Sequence, residues 1–398
     1  MQDSNAQNLN NSADKLIAIC FTAICVLALL IIRVALFDFD WGDYSYFLQP
    51  WIMQYRDMTF VEGLATRVGN YNQPYMYILN IIARVNFSDL YLIKSVSVIF
   101  DFLLAFFVMK IVSLRTESMN LRIMAFLLTL AIPTVVLNSS MWGQCDAIYS
   151  AFAIGAVYFG IKGQSKLAYV FLGLAFSFKL QAVFIMPLFP IFIFTRKISF
   201  KDCYLFFAVF IAMLSPAIIS GMPLDAVFSA YIAQTSYYSE LNMNIVNIWQ
   251  FVDHVDYSSF RLAGLHIAGL ATLSLMYFSY VNRKRLTNTV DFVRLTYLFA
   301  IILPFLLPNM HDRYYFMADV LSVSVFLFDK RRWYVPVVTV FCSYVFYARF
   351  LMSGITLIDY RLAAIALLFI ILIVLRDFVK SLRDTARSTV LNTDITDS

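Results

Sequence analysis

Long apolar runs separated by short basic links set the limits on what this chain can fold into. Runs near 16–37, 90–110, 122–138, 147–161, 166–179, 181–195, 203–220, 261–281, 290–307, 314–328, 334–352 and 360–377 approach the roughly 20 residues that cross a bilayer. Drawn as spans they number twelve. Only 14% of the 398 residues are charged and 61% are hydrophobic, where a soluble domain carries about a quarter charged. The expected class is therefore an all-α polytopic membrane protein. One membrane domain covers 1–387, and 388–398 reads as a disordered cytoplasmic tail.

The basic residues orient the spans. Lys110, Arg115 and Arg122 share a link, as do Lys162 and Lys166; Arg196, Lys197 and Lys201; Arg283, Lys284 and Arg285; and Lys330, Arg331 and Arg332. With twelve spans these links and the basic tail fall on one side, which the positive-inside rule makes cytoplasmic, with both termini there. A net charge of +5 spread through short links is topology, not a nucleic-acid surface. The first run lacks a basic leader and a small-residue cleavage site, so it reads as a retained helix. Cys20, Cys25, Cys145, Cys203 and Cys342 show no metal-ligand spacing and no disulfide framework.

The unusual polar clusters then share the extracytoplasmic face. Asp38, Asp40 and Asp43 crowd into an aromatic stretch ending at Trp51, with Gly42 permitting a tight turn. A loop of more than 50 residues follows the first span, with two aromatic amphipathic pieces near Tyr44–Tyr55 and Pro74–Val85 expected to lie in the interface plane. A carboxylate such as Asp43 is the group that takes a proton from an incoming hydroxyl. Close carboxylates raise one another's pKa, and they also suit Mg²⁺ or Mn²⁺, so a metal stays open although no cofactor is required. Solvated loop residues are the plain alternative for Asp38 and Asp40.

Residues 166–195 are apolar except at Lys179 and Gln181, yet both flanks are basic. The run must turn at Lys179. Each half, about 14 residues, is about 21 Å of helix against a core of about 30 Å, so Lys179 sits at headgroup depth. His311 and Arg313 fall in a short outer turn, and with Lys179 they form a cation set suited to a phosphate diester. The plain alternatives are a snorkelling Lys and an interfacial Arg–Asp pair. Trp142, Gln144 and Asp146 put a ring beside hydrogen-bonding groups, which suits a sugar, and Asn247 and Trp249 suit an acceptor groove. His254 and His266 read as structural. Asp101 and Asp319, inside spans, are functional candidates by default, with Arg294 a candidate partner.

In this order the segments resemble the GT-C membrane glycosyltransferases. The likeness is strongest to the polyprenyl-phosphate-sugar-dependent branch that includes the endoplasmic-reticulum glucosyltransferases of N-glycan assembly and bacterial relatives. Gly42-Asp43-Tyr44 with Trp51 is similar to that family's first-loop Gly-Asp-Tyr/Phe…Trp motif, whose Asp is the catalytic base. Tyr71-Asn72-Gln73-Pro74-Tyr75 is similar to its Asp/Asn-Tyr-x-Pro-Pro segment, with Gln73 where the first Pro is usual. Trp142-Gly143-Gln144-Cys145-Asp146, Phe178-Lys179-Leu180-Gln181, Asn247-Ile248-Trp249 and His311-Asp312-Arg313 are similar to later motifs in the same order.

The resemblance covers about 35–320 and implies a GT-C-like bundle of about twelve transmembrane helices, with interfacial helices in the first extracytoplasmic loop. It implies inverting transfer of a hexose from a polyprenyl-phosphate donor, on the extracytoplasmic face of a bacterial inner membrane. The acceptor is then a lipid-linked or envelope glycan. Asp43 is the expected base, and Lys179, His311 and Arg313 the donor-phosphate ligands. Asp40, Tyr44, Tyr71, Asn72, Trp142, Gln144, Asp146, Gln181, Asn247 and Trp249 are the expected substrate contacts. The expected partners are donor lipid, glycan or glycolipid acceptor and membrane lipid. A lipid-linked-saccharide flippase would instead place paired charges near the bilayer midplane along several helices. A polysaccharide polymerase would carry large Arg-rich outer loops.

Overall fold

The computed structural model describes residues 2–40, 42–233, 240–252, 255–352 and 354–396. His254 lies outside these, as do parts of the expected outer loops at 221–260 and 353–359. The regular structure of the described residues is helical apart from one pair of two-residue strands. In chain order the helices are α1 (Gln2–Ala35), α2 (Gln49–Arg56), α3 (Phe60–Ala65), α4 (Gln73–Ile82), α5 (Asp89–Ser113), α6 (Met119–Ala131), α7 (Pro133–Val136), α8 (Asp146–Lys162) and α9 (Ser165–Phe178). They continue with α10 (Leu188–Phe194), α11 (Tyr204–Ile219), α12 (Leu224–Ala233), α13 (Tyr257–Val281), α14 (Thr289–Leu306), α15 (Phe316–Phe328), α16 (Tyr334–Leu351) and α17 (Tyr360–Thr396). The last is helical through the stretch expected to be a tail. Polar caps start several of them: the side chains of Ser88, Ser118, Asp256 and Asn288 each accept a hydrogen bond from a first-turn backbone N–H.

Among the described residues seven helices are long and apolar enough to cross a membrane: Leu16–Ala35, Asp89–Ser113, Phe200–Ile219, Tyr257–Val281, Thr289–Leu306, Lys330–Leu351 and Tyr360–Ala386. An eighth is the bent pair Met119–Ala131 and Pro133–Trp142. The twelve expected spans are not all of this kind. The segments at 147–161, 166–179, 181–195 and 314–328 fold into shorter helices, because polar residues or turns cut the apolar runs short of bilayer length. Rim helices turn large apolar side chains outward, with Ile211, Leu270, Leu273 and Phe369 each 60–65% exposed. So much exposed apolar surface belongs against lipid, and the chain is a multi-pass membrane protein. Helix α14 is central; 72% of its most apolar window is buried, against 6% for the first helix.

Charged side chains buried within the bundle find partners there. Arg33 Nε lies 3.2 Å from Asp101 Oδ2, Arg33 Nη2 donates to the Leu130 carbonyl at 2.7 Å, and Ser139 Oγ donates to Asp101 at 2.6 Å. A buried charge is tolerated when paired in this way. Asp101 therefore fastens α1 to α5 and α6, and its partner is Arg33 instead of Arg294. Arg294 pairs with Asp291 at 3.2 Å, and Asp319 accepts from Thr134 Oγ1 at 2.7 Å. His266 sits on a rim helix, its ring 2.8 Å from the Leu262 carbonyl, a structural contact.

The links alternate between the two ends of the bundle. At one end Lys330 Nζ reaches Met124 Sδ at 3.8 Å, Ser165 and Ser199 bond to each other, and Arg332 grips Asp377 at 2.5 and 2.8 Å. The basic links therefore meet there. The aromatic and acidic links meet at the other end.

Candidate active site

Four links build a cavity of about 340 Å³ at that other end. The first follows α1. Lys94, fully buried on α5, donates to three carbonyls at the helix exit: Leu36 at 3.0 Å, Phe37 at 2.9 Å and Phe39 at 2.6 Å. A Lys head has three donors and a helix exit leaves carbonyls short of donors, so the fit is chemical as well as steric. Gly42 has φ of +35°, and its carbonyl accepts from Tyr46 N at 2.6 Å. The next residue, Asp43, faces the cavity.

The second link follows α7. Pro133 biases Ile132 out of helical geometry, and the axis bends by 54°. A π-helical turn, Leu137–Trp142, follows and ends at Gly143 in the left-handed region at φ +76°. Such turns recur at functional sites. This one aims Trp142 and Gln144 at Asp43: Trp142 Nε1 donates to Asp43 Oδ2 at 2.9 Å and Gln144 Nε2 at 2.6 Å. Tyr71 OH donates to Gln144 Oε1 at 2.9 Å, tying in the loop before α4.

The third link is the break at Lys179. Helix α9 ends at Phe178, Lys179 is extended (φ −155°, ψ 136°), and a tight 3-10 turn, Leu180–Ile185, carries the chain back toward α10. The fourth lies between α14 and α15. Strand β1 (Asn242–Met243) pairs in parallel with β2 (Met310–His311), Met243 opposite His311. Asn309, at φ +59°, donates through Nδ2 to the Glu240 carbonyl at 2.6 Å. The long loop after α12 thereby holds the turn that carries His311, Asp312 and Arg313.

Asp43, Tyr71, Asn72, Trp142, Gln144, Lys179, Gln181, His311 and Arg313 all line this one cavity. Trp142 touches both the acid and one of the cations: its indole bonds Asp43, and Arg313 Cζ sits 5.3 Å from its ring. Lys179 Nζ lies 5.9 Å from the Tyr71 ring. A cation over a ring face is attracted to it.

Five of the expected contacts lie elsewhere. Asp146 is fully buried behind the lining. It bonds Lys179 Nζ, accepts from Asn138 Nδ2 at 2.9 Å and lies 3.4 Å from Arg313 Nε. It is the anion that gathers the two cations. Asp40 is exposed and accepts from Ser45 Oγ at 2.5 Å, and Asp38 accepts from Tyr91 OH. Their hydrogen bonds to Ser45 and Tyr91 occupy these two carboxylates, and neither lines the cavity. Tyr44 packs against the small apolar core of α2 and α4. Asn247 is fully buried, accepting from Asn242 Nδ2 at 2.7 Å and Trp249 N at 3.0 Å, while Trp249 Nε1 donates to the Leu306 carbonyl at 3.0 Å. That pair closes the long loop onto the end of α14.

His311 was expected to add positive charge. Burial, with Arg313 and Lys179 nearby, pushes its pKa down to about 3, so its ring is neutral near pH 7 and offers an N–H without charge. Burial pushes Asp312 up to about 7. Lys94 and Asn138 were not among the expected site residues, although each is a polar side chain in an apolar setting, which was the available signal. It also gave no weight to Phe350, whose ring stacks on Trp142 at 4.5 Å and 28°.

Among the described residues no group of three or more His, Cys, Asp or Glu side chains is placed to hold a metal ion. No protein-family model and no curated protein matches the chain.

Proposed function

We propose that the protein is an inverting glycosyltransferase that takes a hexose from a polyprenyl-phosphate donor. The observation that carries this reading is one cavity lined by both the Asp43 carboxylate and the Lys179 and Arg313 cations, with Trp142 bonded to Asp43 and its ring 5.3 Å from Arg313 Cζ. The acceptor hydroxyl gives its proton to Asp43, and its oxygen forms a bond to the anomeric carbon. The bond from that carbon to the phosphate oxygen breaks, and polyprenyl phosphate leaves with the electron pair. Lys179 and Arg313 stabilise the charge that grows on the phosphate, with the neutral His311 ring as a further donor. Phosphate is a good leaving group, so one carboxylate suffices. Trp142 and Gln144 hold Asp43 with one oxygen and leave the other for the acceptor.

The same reading assigns a GT-C-like arrangement of about twelve passes, in which α2 to α4 lie along the interface and the shorter helices complete the bundle. The cavity faces the extracytoplasmic side of a bacterial inner membrane, the basic links and both termini face the cytoplasm, and the acceptor is a lipid-linked or envelope glycan. The alternation of basic and aromatic links between the two bundle ends supports this.

The test is Asp43→Asn in purified protein with a polyprenyl-phosphoryl hexose and a membrane lipid extract as acceptor source. Asn keeps the contacts to Trp142 and Gln144 but accepts no proton. Transfer is expected to fall about 10²–10⁴-fold with donor affinity little changed. Wild-type turnover in this variant would overturn the assignment.

A further inference from the structure

We infer that Asp312 and Gln181 form a hydroxyl-reading subsite for the transferred sugar, one that selects a hexose with free hydroxyls. The inference rests on the glycosyl-transfer reading and adds the recognition of the sugar itself. Both side chains line the cavity, and both are nearly buried, Asp312 at 7% and Gln181 at 6% exposure. Each has an acceptor oxygen with no hydrogen bond, Asp312 Oδ1 and Gln181 Oε1. Arg313 Nη1 stands off Asp312 Oδ1 at 3.8 Å, too far to bond it. A buried acceptor left unpaired costs about 1–3 kcal/mol, so these two atoms are groups that a ligand would complete.

Their chemistry states which ligand. Both orphaned atoms accept, so the ligand must donate. A phosphate oxygen has no proton to offer and is served by Lys179 and Arg313. Sugar hydroxyls are donors. Gln181 lies two residues after Lys179, and Asp312 immediately precedes Arg313. Each acceptor thus stands next to a phosphate-binding cation, where the sugar joined to that phosphate must lie. A deoxy sugar would leave one of the two oxygens buried and unpaired, and sites of this kind reject such analogues strongly. Asp312, near its midpoint at neutral pH, accepts as the carboxylate and also serves as acceptor and donor when protonated.

The experiment measures binding alone, so no acceptor is needed. Trp51 and Trp142 line the cavity and report occupancy by fluorescence. The probes are short-chain isoprenyl phosphate, its glucose and mannose conjugates, and a complete set of monodeoxy forms of each. The wild type is expected to bind at least one monodeoxy conjugate about 10-fold or more weakly than the parent. Asp312→Ala or Gln181→Ala is expected to weaken the parent conjugate by a similar factor and to erase the discrimination against that deoxy form, without weakening isoprenyl phosphate. Using two variants guards against one that fails to fold. If both variants keep the full wild-type discrimination, the subsite is refuted while the transferase reading stands. If the wild type binds neither isoprenyl phosphate nor any conjugate, both fall.

Discussion

Asp146→Asn removes one charge from a fully buried cluster and changes almost nothing in shape. In the wild type that carboxylate faces two cations, bonded to Lys179 and 3.4 Å from Arg313. The cations are themselves mostly buried, their side chains 7% and 16% exposed. Removing the shared partner leaves two like charges side by side with little water to screen them. Breaking a buried pair in this manner costs about 3–5 kcal/mol, a large share of the roughly 5–15 kcal/mol that holds a domain folded. The expected outcome is a melting temperature lower by several degrees in detergent. The same argument predicts rescue by an anion. Isoprenyl phosphate supplies the missing charge, and a ligand that binds only the folded state stabilises by RT ln(1 + [L]/Kd). It should therefore raise the melting temperature more in Asp146→Asn than in the wild type. Arg331→Ala is the control, since Arg331 is 86% exposed in its pair with Asp329 and such pairs contribute little. If Asp146→Asn melts with the control, or gains no more from isoprenyl phosphate than the wild type, Asp146 is not the anion that gathers the clamp.

Lys94→Met should keep the packing of α5 but take a shared donor from three carbonyls at the exit of α1, lowering turnover more than stability-matched changes on the rim; unchanged turnover would show that the exit loop needs no such anchor. Asp312 gives stability a pH dependence of definite sign. Its folded pKa is raised from 3.8 to about 7, so between those values the folded state binds more protons than the unfolded, and this group's contribution falls as pH rises through the window. Asp312→Asn should therefore gain melting temperature relative to the wild type at pH 8 compared with pH 5, and a difference constant with pH would contradict it. Reporters inserted near Lys284 and after Lys330 should read cytoplasmic and one near Thr356 extracytoplasmic; the reverse pattern would invert the proposed orientation.

Composition and apolar periodicity were enough to give a multi-pass helical membrane protein, because lipid demands long apolar segments with their backbone bonded internally. The turn at Lys179 was also legible, since two basic flanks on one apolar run leave no other path. So was the gathering of Asp43, Trp142, Gln144, Lys179, Gln181, His311 and Arg313 on one cavity, for the alternation of links already placed them at one end. Which apolar segments form full-length helices was not legible: hydropathy measures how apolar a segment is, not whether its helix stops short, as α8 and α9 do. Nor was the division of labour among like residues. Asp43, Asp101 and Asp146 are the same side chain, yet one faces the cavity, one fastens Arg33 within the bundle and one gathers Lys179 and Arg313. Which carboxylate meets which cation depends on contacts across 33 to 167 positions of sequence, and only packing brings those positions together. The unpaired oxygens of Asp312 and Gln181 are of the same kind, since an orphaned acceptor is defined by everything around it.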